Sequence, residues 1–82
     1  MKNKKITIYY YARLSEITNC RKEIINTLFL TPKEIYNDLL HKYIFPFNIN
    51  EINIAINNKI STWDSILNDG DEIIFIPPVS GG

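Results

Sequence analysis

The chain has 82 residues, nine of them basic and nine acidic, with one cysteine and one histidine, so its formal net charge at neutral pH is zero. A chain of this size supports one domain with one modest core. The balanced charge, without a basic cluster interleaved with aromatics, argues against a nucleic-acid platform, and no apolar run approaches the roughly 20 residues of a membrane helix.

Cys20 has no internal disulfide partner, and one cysteine with His41 falls short of a zinc ligand set. The Lys-rich start lacks the apolar stretch of a signal peptide, so a cytoplasmic protein without metal or bound cofactor is expected.

Lys5 to Tyr11 alternates, with Ile6, Ile8 and Tyr10 on one face and Thr7, Tyr9 and Tyr11 on the other. That pattern predicts a first strand with one face on a core. Ala12 to Thr18 places Leu14 and Ile17 at helical spacing, which predicts a short helix stopped near Asn19, a residue that tolerates the left-handed region. Arg21 to Phe29 follows as a second strand, antiparallel to the first. Thr31, Pro32 and Glu34 then form an N-terminal helix signal, with Leu30 and Ile35 placed as a hydrophobic staple. Ile35, Leu39, Leu40 and Tyr43 make the apolar stripe expected to lie on the sheet.

Ile44 to Glu51 reads as a loop whose Phe45 and Phe47 plug the core edge. Ile52 to Ile56 and Lys59 to Ser61 are expected to form a hairpin about Asn57-Asn58, because asparagine accepts positive φ. Trp63 and Leu67 are expected to pack in the connector, and Asn68-Asp69-Gly70-Asp71 makes a turn before a last strand, Glu72 to Ile76. The predicted fold class is α+β, a mixed sheet crossed by one main helix. The domain covers residues 1–76 and an extended tail 77–82.

Pro77 and Pro78 donate no N–H, so the ladder of the last strand stops at Ile76 and the chain leaves the sheet. The four residues from Val79 to Gly82 reach at most roughly 14 Å, far enough to enter a neighbour's active site. Gly81 and Gly82 have no Cβ and pass a constriction that excludes side chains. Gly82 is expected to offer its carboxylate to a partner. If Ile73 and Phe75 point inward, Ile74 and Ile76 stand outside beside Tyr9 and Tyr11 as an exposed apolar patch next to the tail.

Tyr10-Tyr11-Ala12-Arg13-Leu14 and the run from Leu67 through Asp69-Gly70-Asp71 to Pro77-Pro78-Val79-Ser80-Gly81-Gly82 resemble the MoaD family, the sulfur-carrying small subunits of molybdopterin synthase, with the ubiquitin-like β-grasp fold. Length and element order agree over the whole chain, while only the last sixteen residues are specific. One departure is Phe75-Ile76, where that family usually carries an aromatic pair.

The resemblance implies that an E1-like adenylyltransferase uses ATP to convert the Gly82 carboxylate to an acyl-adenylate, and that a sulfur donor protein displaces AMP to leave a thiocarboxylate. It further implies docking on the large subunit of molybdopterin synthase, two carriers with two large subunits. Pro78, Val79, Ser80 and Gly81 would then thread that active site, and sulfur would pass to cyclic pyranopterin monophosphate. Tyr9, Tyr11, Arg13, Ile74, Ile76 and Pro77 make the expected partner interface. No residue set is expected to be catalytic within the chain itself.

Arg13 is open to two readings, a contact to a partner's acidic group or a solvated helix start. The acidic residues Asp64, Asp69, Asp71 and Glu72 are read as turn chemistry in preference to electrostatic steering. Rival functions are sulfur carriage for thiamin or tRNA thiolation, or a ubiquitin-like modifier joined to lysines. The Pro-Pro-Val-Ser approach favours the molybdopterin carriers.

Overall fold

The computed structural model describes residues 3–78. In chain order the elements are β1 (Lys4–Tyr10), α1 (Arg13–Thr18), β2 (Lys22–Thr27), α2 (Pro32–Leu39), a 3-10 turn (Ile49–Glu51), β3 (Asn53–Ile56), β4 (Lys59–Ser61) and β5 (Glu72–Ile76). The five strands form one sheet in the order β2-β1-β5-β3-β4, in which β1 and β5 run parallel and the other neighbours antiparallel. The expected antiparallel β1–β2 pair and the β3–β4 hairpin are both present. Asn57 and Asn58 both adopt positive φ, 53° and 69°, which is the twist a two-residue hairpin needs.

Alternation decides which side of the sheet is dry. Ile6, Ile8 and Tyr10 of β1 and Ile73 and Phe75 of β5 are buried together with Ile54, Leu14, Ile35 and Leu67. Each aliphatic side chain removed from water in this way contributes about 1.5–3 kcal/mol. An aromatic cluster fills the end of the core nearest α2. Tyr36 stacks on Phe45 at 5.5 Å, Phe45 on Tyr43 at 5.5 Å, and Trp63 on Phe75 at 5.7 Å. Phe45 therefore plugs the core as its position in the loop implied, and Trp63 is held by an indole N–H bond to the Ile52 carbonyl.

The start of α2 is built as its sequence predicts. Thr31 Oγ1 accepts the Glu34 N–H at 3.3 Å and Pro32 sits in the first turn. The Glu34 carboxylate reaches back one residue further than a standard box, accepting the Leu30 N–H at 3.2 Å. The buried stripe of α2 differs from expectation. Leu40 is the C-cap residue and 44% exposed, while Tyr36 is fully buried and donates its hydroxyl to the Phe47 carbonyl at 2.7 Å. At 3.6 residues per turn the stripe through Pro32, Ile35 and Leu39 is centred nearer Tyr36 than Leu40. The tyrosine escapes a polar-burial penalty because the following loop supplies an acceptor.

β1 is displaced by one residue from its sequence pattern at the same length, and β2 is shorter than its pattern. β1 ends at Tyr10 because Ala12, at φ 51° and ψ −125°, turns the chain into α1. β2 ends at Thr27, whose Oγ1 accepts the Phe29 N–H at 3.0 Å and bends the chain toward α2. The α1 helix stops at Asn19 in the left-handed region, as expected. Asn48 to Glu51 is not plain loop, since the Asn48 N–H donates to Glu51 Oε1 at 2.9 Å and holds the 3-10 turn.

Candidate functional site at the root of the tail

Because β1 and β5 are parallel neighbours, with Tyr9 opposite Ile74 and Tyr10 opposite Phe75, their last residues arrive at the same end of the sheet. One strand continues into Tyr11-Ala12-Arg13 and the other into Pro77-Pro78. Two segments more than sixty positions apart thus share one corner. A positive φ at Ala12 is uncommon for a residue with a Cβ, and the Ser15 hydroxyl braces the turn by donating to the Ala12 carbonyl at 2.7 Å. Beside this corner lies an open cleft of about 590 Å³, walled by Tyr9, Tyr11 and Ala12 and rimmed by Arg21 and Lys22. Neither cation forms an ion pair among the described residues. Periodicity does not point to Arg21 and Lys22; the register that sets Lys22 opposite Tyr9 brings them here.

The same registers define the outer face of the sheet. A row runs across all five strands through Lys22, Tyr9, Ile74, Ala55 and Ile60. Ile60 is 76% exposed and Tyr11, at the tail corner, is 50% exposed. Tyr9, Ile74 and Ile76 are half-buried. The apolar outer face inferred from alternation is therefore present and extends to Ile60 and Ala55, which the sequence did not single out. Tyr9 donates its hydroxyl to Glu72 at 3.3 Å. Desolvation first, and then the Glu72 carboxylate, raise the Tyr9 pKa, so the phenol stays a neutral donor on this face.

The acidic turn is structural. Asp69 Oδ1 accepts the Lys5 N–H at 2.7 Å, and Asp71 accepts the Asn68 N–H at 2.8 Å and the Asn57 side-chain amide at 2.9 Å. These bonds tie β1, the β3–β4 hairpin and the start of β5 together, and Gly70 at φ 89° makes the reversal. They fix the lateral position of β5, and hence of the tail root. At the far end of β1, Glu23 accepts the Tyr10 hydroxyl at 2.7 Å and the Lys42 ammonium at 2.7 Å. Burial pushes the Glu23 carboxyl up, but the bonds from Lys42 and Tyr10 outweigh it and hold the pKa below the usual range.

A family model described as the ThiS family matches residues 8–82, nearly the whole chain. The chain belongs to the ThiS family. A comparison with curated protein sequences finds no match. Solved structures place this ThiS-family chain in the ubiquitin-like β-grasp fold. Its fold is similar to the HVO 2177 protein of Haloferax volcanii, at TM-score 0.83 and 17% identity over 99% of this chain and 89% of that one. It is also similar to the small archaeal modifier protein 1 of Methanosarcina acetivorans, at TM-score 0.77 and 23% identity over 100% of both chains. A third likeness is to a chain in the protein–protein complex of subunits 1 and 2 of the molybdopterin-converting factor from Helicobacter pylori, at TM-score 0.67 and 24% identity over 95% of this chain and 99% of that one.

In this ThiS-family chain the expected site residues divide into four groups. Tyr9, Tyr11, Ile74 and Ile76 lie together on the outer face and its tail corner. Arg13 is exposed but bonded to Glu16 at 3.2 Å on its own helix, which fits the solvated helix start. Pro77 is buried, a correction to its expected place in an exposed interface, and Pro78 is exposed. Val79, Ser80, Gly81 and Gly82 lie outside the described residues. No described helix is long and apolar enough to cross a membrane.

Proposed function

We propose that this chain is a sulfur carrier and, more narrowly, the sulfur-carrying subunit of a molybdopterin synthase, with Gly82 bearing the terminal carboxylate. The observation that carries it is the convergence of the Tyr10-Tyr11-Ala12-Arg13-Leu14 motif and the Ile76-Pro77-Pro78 exit at one corner of the sheet, flanked by an apolar outer face. ThiS-family membership and the likeness to a subunit of the molybdopterin-converting factor support it.

The Gly82 carboxylate attacks the α-phosphorus of ATP on an E1-like adenylyltransferase, releasing pyrophosphate and forming an acyl-adenylate. Sulfide adds to the acyl carbon and expels AMP, leaving a thiocarboxylate; a donor's persulfide reaches the same product once a second thiol cleaves the S–S bond of the acyl disulfide. A carboxylate is a poor nucleophile with a poor leaving group, whereas the thioacid sulfur is soft and reactive. On the large synthase subunit that sulfur bonds to cyclic pyranopterin monophosphate as a thioester, and water cleaves the acyl–sulfur bond, leaving the sulfur on the acceptor and returning the tail as a carboxylate. The chain supplies no catalytic side chain; it supplies a handle and a docking face.

The test is intact-mass spectrometry of the carrier after incubation with the activating enzyme, ATP and a sulfur source. Replacement of one oxygen by one sulfur at the terminal residue is expected. A second reading, a ubiquitin-like modifier, is favoured by the likeness to the small archaeal modifier protein, and predicts instead an isopeptide between Gly82 and lysines of other proteins.

A further inference from the structure

β2 is an edge strand, and its register tells which of its backbone groups are free. The Tyr10 N–H donates to the Arg21 carbonyl at 2.9 Å, so Tyr10 and Arg21 form a hydrogen-bonded pair. Alternation along the antiparallel ladder then turns the N–H and C=O groups of Glu23 and Ile25 toward β1 and those of Lys22, Ile24 and Asn26 away from the sheet. No proline interrupts the strand, and Ile24 at its centre is 52% exposed. The opposite edge is β4, which has three residues and so offers a much shorter template. Natural edges of this length are commonly covered or blunted.

A groove of about 200 Å³ runs beside this edge, between β2 and α2, with Ile25, Phe29, Ile35 and Leu39 as its apolar lining. Its rim carries three charges with different fates. Lys42 is spent on Glu23 at 2.7 Å, while Asp38 makes no ion pair among the described residues. The uncompensated charge among the lining residues is therefore negative, while the Lys4 ammonium, which donates to the Phe29 carbonyl at 3.2 Å, lies at the Thr27 end of the groove.

We propose that this groove takes an extended segment of a partner protein by strand addition to β2, and that the segment carries a branched aliphatic side chain and a lysine or arginine two residues apart. Residues two apart on a strand share a face. The aliphatic group enters the lining and the cation meets Asp38, while main-chain bonds form to Ile24 and its outward neighbours. A second copy of this chain is a poorer occupant, because the groove-side residues of its own β2 are Glu23, Ile25 and Thr27, which bring Asp38 another carboxylate and no cation. The tail root on β5 lies beyond β1 from this edge, so an occupied groove leaves Gly82 free to react.

The experiment titrates the isotope-labelled full chain with two capped pentapeptides, TITKT and TITET, and follows backbone amide resonances. Saturable shifts of the Lys22, Ile24 and Asn26 amides are expected, with TITKT binding about two- to fivefold more tightly, the range for an exposed charge pair. Ile24→Pro removes an outward N–H while leaving the inward ladder intact, and should weaken binding about tenfold or more. Asp38→Lys, on the solvent rim of α2, should reverse the preference between the two peptides and serves where the proline variant does not fold. Absence of shifts at those three amides at millimolar peptide, shifts confined to the Tyr9–Ile60 face, equal affinity of the two peptides, or self-association that occupies the edge would each overturn the proposal.

Discussion

Tyr10 and Glu23 show how one polar bond constrains the corner where the tail begins. Tyr10 is buried in the core next to Phe75, at 6.4 Å between ring centroids, and among the described residues its hydroxyl bonds to Glu23 alone. Removing the acceptor by Glu23→Ala leaves a buried hydroxyl unpaired, which costs about 1–3 kcal/mol and should lower the melting temperature. The pH dependence has a definite sign. The folded Glu23 pKa lies below its unfolded value of 4.5, so its contribution is present above that pH and fades as pH falls through the folded value. Glu23→Gln should flatten that part of the acid limb of a melting-temperature profile; an unchanged limb would mean that other carboxylates govern it. Lys42 titrates in the opposite sense. Its pKa is raised, chiefly by the bond to Glu23, so its contribution holds below the unfolded value of 10.5 and is lost as pH rises further.

At the scale of elements, what was legible in the sequence was what is decided locally. The Thr31-Pro32-Lys33-Glu34 start of α2, the Asn57-Asn58 turn and the strand alternation around Ile6, Ile8 and Tyr10 all depend on residues within a few positions of one another. The burial of Tyr36 depends on an acceptor eleven residues away at Phe47, and the collection of Arg21 and Lys22 at the tail corner depends on strand register. The parallel β1–β5 pairing spans more than sixty residues and has no local signature. Thr31→Ala tests the local part, because it deletes the acceptor for the Glu34 N–H and should destabilise the fold by about 0.5–2 kcal/mol in denaturant melts. A loss well under that range would show that α2 is held by packing of Ile35, Tyr36 and Leu39 alone. Pro77 is instructive from the other direction: the ladder ends at Ile76, where its lack of an N–H requires, yet Pro77 itself is buried, which proline chemistry alone does not imply.

For the whole molecule, the fold is a platform that separates stability from reactivity. The core lies between the sheet and α2, the acidic turn locks β5 laterally, and in the proposed function the outer face with the tail corner meets partners. Ile60→Asp probes that face without touching the core, since the side chain is 76% exposed. Its stability in a thermal melt should stay within about 0.5 kcal/mol of the parent. Affinity for the large synthase subunit should fall, because a carboxylate desolvated at an interface without a counter-ion costs several kcal/mol. Unchanged affinity by calorimetry would place the docking surface elsewhere.

The most direct test is the yield of molybdopterin from cyclic pyranopterin monophosphate in a reaction reconstituted from the large synthase subunit, the activating enzyme, ATP, a sulfur source and this chain, run beside the same reaction with Gly82 deleted. The intact chain should support product formation and the shortened one should support none while melting at the same temperature, because in the proposed function the last residue carries the sulfur and terminal residues as a class add little to stability. Equal yields from the two chains would contradict sulfur carriage at Gly82.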